Sequence, residues 1–351
     1  MVGAMDLQIF LVLLQDGIAN GAIYALLAVT MVLVFATTRI LFVAQGEFVT
    51  FAALSYASFQ IGAVPQVVWL LGILAVAVTG IETVKAAYAG NMRRIPTIVA
   101  LYLIVPFVLI GLSVWLAPLK VPTMVQAGLS VAIVTALGPL IYRIAFQPVS
   151  NASVRMLFVI AIALHFVLQG CGLLFFGAEG FRVDPMIDAG LNIGSLFIKS
   201  QVLLIIAMLT VFTTALYAFF EFTTPGKALR ATAINRVGAR IVGIKPDLAG
   251  KLAFLLTAFI GGASGVLIVS STTIYYDSGL LIGLKAVLGA ICGAMLSYPM
   301  AIVGSIAVGV LETFSAFWAS AFTEAIVFSA LIPVLLWLSF RSGPSEEGQE
   351  L

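Results

Sequence analysis

Long apolar stretches without a charged side chain recur along the chain. The first runs from residue 17 to 38, between Asp16 and Arg39. An α-helix needs about 20 such residues to cross the hydrocarbon core of a bilayer. The composition agrees, because 62% of the 351 residues are hydrophobic and 9% are charged, whereas about 25% are charged in an ordinary soluble domain. The sequence therefore predicts an all-α polytopic membrane protein with a single transmembrane domain over residues 1–351.

The sequence predicts about ten to eleven membrane crossings. Pro65 divides the apolar stretch 48–81 into two helices, because the residue before a proline disfavours helical geometry. A Ser-Tyr-Pro sequence at 297–299 predicts a turn inside the glycine-rich stretch 286–311. The predicted spans, with 286–311 counted once, are 17–38, 48–62, 65–84, 95–119, 121–142, 156–178, 201–220, 252–276, 286–311 and 325–340.

The distribution of Lys and Arg predicts the orientation in the membrane. Residues 226–251 hold six basic side chains and one acidic side chain, so we expect this loop in the cytoplasm. Residues 177–188 hold three acids and one arginine, so we expect that loop outside. Alternation between these two loops predicts an external N-terminus and a cytoplasmic tail at 342–351. Only the isolated Lys120 and Lys199 depart from the pattern.

The segment 223–247, TTPGKALRATAINRVGARIVGIKPD, has clear start and stop signals. It predicts one short amphipathic helix over about 227–242, which Gly243 ends and Pro246 prevents from continuing. Small residues such as Ala239 would let another protein approach closely. We therefore expect the segment to dock on a cytoplasmic partner, with a basic loop that touches anionic lipid as the alternative.

Polar side chains inside the spans are candidates for function, because they are costly in a bilayer. They are Asn20 and Tyr24 in the first span, Gln45 and Glu47 beside the second, His165 and Gln169 four residues apart, and Glu312 and Glu324 near the end. For His165 we prefer a hydrogen bond to a neighbouring helix over a proton relay. Glycine pairs four residues apart at 17/21, 261/265 and 289/293 predict close helix packing.

No catalytic or metal-binding pattern is present in the sequence. It contains no G-x-x-x-x-G-K-[ST], G-x-S-x-G or H-E-x-x-H motif. Two isolated cysteines and one histidine make no convincing metal site, and a net charge of +2 gives no sign of nucleic-acid binding. We therefore expect a protein that is not an enzyme and binds no cofactor itself.

Four stretches resemble a known family. They are GIANGAIYALLAVTMVLVFATTRILFVAQGEF, QPVSNASVRMLFVIAIALHFVLQGCGLLFFG, TTPGKALRATAINRVGARIVGI and GLKAVLGAICGAMLSYPMAIVGSIAVGVLE, in that order. Each is similar to a stretch of the membrane permease subunit of branched-chain amino acid ABC importers, the half usually encoded first. The third stretch is the most specific. The resemblance implies a permease bundle with a cytoplasmic coupling helix, in a bacterial inner membrane.

The resemblance also implies partners and residue roles. The partners are a second related permease subunit, two cytoplasmic ATPase subunits that bind ATP and Mg²⁺, and an external substrate-binding protein. Carried over by position, the residues that couple to the ATPase are Gly226, Arg230, Ala231, Ala239, Gly243 and Ile244. The residues that shape the translocation pathway are Asn20, Tyr24, Glu47 and Gln169.

The sequence departs from the family pattern in ways that leave the cargo open. Residues 42–48 read F-V-A-Q-G-E-F where the family usually has N-F-A-H-G-E-F, and Met300 follows Pro299 where glycine is usual. Extra sequence within about 65–120 predicts an added pair of helices. Related importers are associated with urea, short amides and aromatic acids. An ion-coupled secondary transporter and a non-transporting scaffold are the alternatives of other classes.

Overall fold

The computed structural model describes residues 7–119, 121–187, 190–193 and 196–342. The chain is almost entirely helical. The helices are α1 (Leu7–Thr38), α2 (Gln45–Gln60), α3 (Val67–Tyr88), α4 (Ile95–Val99), α5 (Val105–Leu116), α6 (Thr123–Ile141), α7 (Val154–Phe176), α8 (Ser200–Phe222), α9 (Thr224–Ile234), α10 (Arg236–Ile241), α11 (Pro246–Ile268), α12 (Ser278–Cys292), α13 (Tyr298–Ala319), α14 (Thr323–Ser329) and α15 (Leu331–Ser342). A π-helical turn joins α4 to α5, so that Ile95–Leu116 is one continuous helical rod.

Eight helical stretches in the described part of the chain are long and apolar enough to cross a membrane. They are Leu7–Thr38, Val67–Tyr88, Ile95–Leu116, Thr123–Val149, Val154–Phe176, Ser200–Phe222, Pro246–Ile268 and Tyr298–Trp337. The chain is therefore a multi-pass membrane protein, as predicted. The sequence count of about ten to eleven is higher because it includes α2 and α12, which have 16 and 15 residues, and because it divides Tyr298–Trp337.

The predicted breaks coincide with helix ends. The helix before Pro65 ends at Gln60, and α3 begins at Val67. The turn predicted at 297–299 separates α12 from α13, with Pro299 in the first turn of α13, where its missing N–H costs nothing. Proline therefore divides the apolar stretches at both places.

The centre of the bundle is α1, which packs against α11, α12 and α13. Glycines allow this close approach: a Cβ atom on Gly21 would lie 2.6 Å from Cα of Ile306, and one on Gly17 would lie 2.8 Å from Cα of Val310. Lipid chains are as apolar as the helices, so close packing rather than the hydrophobic effect holds helices together. The predicted structural role of the 17/21 glycine pair agrees with this geometry.

Two peripheral helices, α3 and the rod Ile95–Leu116, fall within the segment 65–120 where the added pair was predicted. They pack on each other and on α6, and most of their remaining surface is exposed. By contrast, every residue of α2 from Gln45 to Phe59 is buried. These two helices thus lie outside the central bundle, and whether they are an addition to the family pattern stays a prediction.

A short antiparallel hairpin lies between α7 and α8 and was not predicted. Its strands are β1 (Gly190–Ile193) and β2 (Leu196–Lys199), with Gly190 opposite Lys199. We call this side of the bundle the hairpin end, and the opposite side, which carries α9 and α10, the basic end. Lys120, Asp188 and residues 343–351 of the predicted tail lie outside the described residues.

Candidate functional site

A cluster of four ionisable side chains lies between helices of the bundle. The Nζ atom of Lys285 donates hydrogen bonds to Oε1 of Glu312 at 2.7 Å and to Oε1 of Glu324 at 2.9 Å. The hydroxyl of Tyr24 donates to Oε2 of Glu312 at 2.7 Å. We call Tyr24, Lys285, Glu312 and Glu324 the Lys285 cluster. Its charges are unusual in an apolar bundle, where ionisable groups are rare and commonly functional.

Four helices bring the Lys285 cluster together. Tyr24 lies near the middle of α1, while Lys285 lies seven residues into α12 and Glu312 seven residues before the end of α13. Seven residues of helix rise about 10 Å, so both charges lie well below the hairpin end. Glu324 lies in the first turn of α14. The sequence separations of the pairs range from 27 to 288 residues, so only the tertiary fold assembles the cluster.

The Lys285 cluster opens towards one side of the bundle. The side chain of Lys285 is 6% exposed, that of Glu312 17% and that of Glu324 45%. In their ionised forms the lysine and the two carboxylates sum to one negative charge. A half-exposed carboxylate needs water or a polar partner, because contact with lipid would leave it unsolvated. The surface around Glu324 therefore faces something other than lipid chains.

A second buried pair joins α2 to α7. Oε1 of Glu47 lies 2.9 Å from Nδ1 of His165, and both side chains are buried. A Cβ atom on Gly279 would lie 2.6 Å from the same carboxylate oxygen, so the carboxylate packs against the first turn of α12. The free backbone N–H groups of a first turn favour a negative charge. The interpretation of His165 as bonded to a neighbouring helix agrees with this contact.

The four predicted pathway residues do not form one site. Tyr24 belongs to the Lys285 cluster, and Glu47 belongs to the pair with His165. Asn20 and Gln169 are half-buried one helical turn away from Tyr24 and His165. Gln45 is fully buried and donates from Nε2 to the carbonyl of Leu27 at 3.1 Å, so it fastens α2 to α1.

The sequence analysis missed Lys285. The signal was available, because Lys285 is the only charged residue between Asp277 and Glu312. A lone lysine in such a run has to find an acidic partner or lie near the membrane surface.

The segment 223–247 forms two helices, so the prediction of one helix over 227–242 is wrong. Asn235 has extended geometry (φ −148°) between α9 and α10. Its Oδ1 accepts a hydrogen bond from the backbone N–H of Gly238 at 2.8 Å, which caps α10. The predicted stop at Gly243 is confirmed by its φ of +86°, a left-handed conformation that favours glycine.

The six predicted coupling residues differ in exposure. Gly226 and Ala239 are buried, and a Cβ atom on Gly226 would collide with the carbonyl oxygen of Phe219. Their small size therefore serves packing within the chain rather than the approach of a partner. Ala231 and Ile244 are half-buried, whereas Arg230 and Gly243 are exposed. Only the last two are fully accessible to another protein.

An exposed apolar patch on the same segment was missed. Ile234, Val237, Ile241 and Val242 are each 70% to 81% exposed, and we call them the docking patch. The basic side chains of Arg240 and Lys245 lie beside them in the sequence and are exposed as well. The spacing of four residues between Val237 and Ile241, both on α10, is a sequence signal for one apolar stripe. A stripe of this kind outside the spans marks a contact with another molecule.

The match to a family model and the sequence relatives indicate one family. Residues 13–338 match the family described as "Branched-chain amino acid transport system / permease component". The chain is 27% identical over 259 residues to the high-affinity branched-chain amino acid transport system permease protein LivH of Salmonella typhimurium, which covers 70% of this chain and 81% of that protein. It is 24% identical over 257 residues to the corresponding permease protein BraD of Pseudomonas aeruginosa, covering 71% and 82%. The structure of PsaBC from Streptococcus pneumoniae in complex with Fab is 12% identical, with a TM-score of 0.41 over 96% of this chain and 94% of that chain.

Proposed function

The chain belongs to the family of permease components of branched-chain amino acid transport systems, and from that premise we propose that it is one of two permease subunits in an ATP-driven importer. The second subunit is a related chain, and the cargo is a branched-chain or other hydrophobic amino acid. The basic end faces the cytoplasm of a bacterium, as the excess of Lys and Arg there favours. The N-terminus is outside and the C-terminus is cytoplasmic.

The Lys285 cluster is the observation that carries this proposal. A free amino acid has an ammonium group, and the cluster presents a net negative charge and a half-exposed carboxylate within an apolar bundle. The half-exposed carboxylate of Glu324 contacts the passing ammonium group. The face of the bundle around Glu324 borders the pathway and the second permease subunit, which explains how this carboxylate avoids lipid.

The docking patch receives an ATPase subunit. Two ATPases, one on each permease subunit, bind and hydrolyse ATP with Mg²⁺, and a substrate-binding protein delivers the cargo from outside. A protein partner would remove these exposed apolar side chains from water. Differential binding of nucleotide between the two states would then shift the permease pair between outward and inward conformations.

Uptake in proteoliposomes tests the proposal. The full complex, purified through a tag on this chain, is reconstituted with ATP and Mg²⁺ on the side of the ATPases and with the binding protein opposite. Radiolabelled leucine uptake should require ATP and should persist when ionophores collapse all ion gradients. Uptake driven by an ion gradient without ATP would overturn the importer and support an ion-coupled transporter.

Variants connect the uptake to the Lys285 cluster. Glu324→Gln should lower uptake at least tenfold, since a hydrogen bond to a charged group contributes about 1.5–3 kcal/mol. Glu179→Gln, at an exposed site in the loop after α7, is the matched control and should leave uptake unchanged. Unlabelled urea, acetamide and benzoate serve as competitors. Competition by one of them but not by valine would assign the cargo to that class instead.

A further inference from the structure

A large apolar groove lies beside the added helices. It has a volume of about 930 Å³ and is bounded by α5, α6, α8 and α11. Almost all of its lining is apolar, with Leu109, Val131, Met208 and Phe259 among the side chains that line it. Without the added rod Ile95–Leu116 the groove would lack one wall.

The groove runs nearly the full thickness of a membrane. Its lining on α11 extends from Leu248 near the basic end to Leu267 near the hairpin end. That separation of 19 residues corresponds to about 28 Å of helix, and the hydrocarbon core of a bilayer is about 30 Å thick. The acyl chains of a phospholipid in one leaflet reach about half of that thickness, so the chains of one phospholipid would occupy the part of the groove nearest its headgroup.

A lysine lies in the groove near the basic end. Lys251 lines the groove, and its Nζ atom donates a hydrogen bond to the hydroxyl of Tyr102 at 2.7 Å. Within the described ranges, no carboxylate lies within 4.0 Å of that nitrogen.

The neighbouring charges already have partners of their own. Arg143 forms an ion pair with Glu82, and Asp247 accepts a hydrogen bond from Gln147 at 3.2 Å. Lys251 thus places its ammonium group at the wall of an apolar groove, with Asp247 one helical turn away on α11 but outside ion-pair distance.

We propose that the groove binds one anionic phospholipid, with its acyl chains along α6 and α11 and its phosphate group at Lys251 and Tyr102. The ammonium of Lys251 and the phenol hydroxyl of Tyr102 both donate hydrogen bonds to a phosphate oxygen. The added helices thus form a lipid-binding site at the edge of the permease.

Native mass spectrometry tests the proposal on the purified complex. The probes are equimolar phosphatidylglycerol and phosphatidylcholine with identical acyl chains. The wild-type chain should retain one lipid with about a fivefold preference for phosphatidylglycerol, the usual effect of one basic side chain beside an anionic headgroup. Lys251→Met should keep the lipid and lose the preference. Lys245→Met, at an exposed lysine outside the groove, should keep both.

A second pair of variants tests the groove itself. Gly128 lines the groove, and a Cβ atom there would meet nothing within 4 Å. Gly128→Phe should therefore narrow the groove near the ends of the acyl chains and lower lipid retention without a clash. Gly111 on α5 is equally unobstructed and does not line the groove, so Gly111→Phe should retain the lipid.

Three results would overturn the proposal. They are an unchanged headgroup preference in Lys251→Met, full lipid retention in Gly128→Phe, and displacement of the lipid by soluble glycerol phosphate. The last result would show that the site binds a free phosphate ester rather than a lipid.

Discussion

Replacing Lys285 by methionine should strongly destabilise the bundle. The substitution keeps the length of an unbranched side chain and removes the charge that holds Glu312 and Glu324 together. Removing one partner of a buried ion pair costs about 3–5 kcal/mol, because the other charge is left uncompensated. Glu324 is 45% exposed and can recruit water, so most of the cost arises at Glu312. Tyr24 still donates to Glu312, which favours the lower end, about 3 kcal/mol.

A double-mutant cycle measures this cost. The assay is the free energy of unfolding in detergent micelles, measured for Lys285→Met, Glu312→Gln and the double variant. The neutral amide that Glu312→Gln introduces does not need the ammonium of Lys285. The double variant should therefore be more stable than the sum of the single effects by about 1–3 kcal/mol. Additive effects of the two substitutions would refute the reasoning, because they would mean that the two charges do not compensate each other.

Three further predictions concern packing and the basic end. Gly21→Leu should lower the melting temperature in detergent, because overpacking against Ile306 costs about 1–3 kcal/mol. Gly80→Leu is the control and should leave the melting temperature unchanged, because nothing lies within 4 Å of a Cβ atom there. Equal shifts in the two variants would contradict the close packing at Gly21. Ile241→Asp should weaken ATPase binding at least tenfold in a pull-down from mild detergent, while the amount of chain in the membrane stays the same. Normal binding would show that the docking patch does not contact the ATPase. Gly243→Glu should abolish uptake, because it adds a charge and strains the backbone at φ +86°. Gly243→Asn should retain most uptake, because asparagine tolerates that backbone conformation. Equal losses of uptake in the two variants would show that glycine itself is required.

Local chemistry made the helices predictable. The apolar stretches predict the spans because a bilayer accepts few backbone structures other than helices, which satisfy their own hydrogen bonds. Pro65 and Pro299 divide the stretches because proline disfavours helical geometry in the residue before it. Gly243 ends α10 through its own backbone freedom. The break at Asn235 was missed because an asparagine caps a helix only where the chain before it leaves helical geometry. None of the residues next to Asn235 in the sequence forces the chain out of that geometry.

The candidate site could be predicted only in pieces. Tyr24 and Glu47 stand out as polar residues in or beside apolar spans, but the sequence does not say which partner each one has. The partner of Tyr24 is 288 residues away and that of Glu47 is 118 residues away. Such pairings follow from the order in which helices pack, and similar apolar surfaces give few signals for that order. The packing order of the helices also decides which side chains are exposed. The sequence therefore does not show that Gly226 is buried and that Ile241 is exposed.

Helix α12 connects the two buried polar groups. It carries Lys285 in its middle and packs its first turn, at Gly279, against the carboxylate of Glu47. With 15 residues it is about 22 Å long, shorter than the hydrocarbon core, and turns bound it at both ends. Any shift of α12 along its axis must therefore change the ion pairs of Lys285 and the contact with Glu47 together. The geometry makes α12 an element through which the state of one polar group can alter the other.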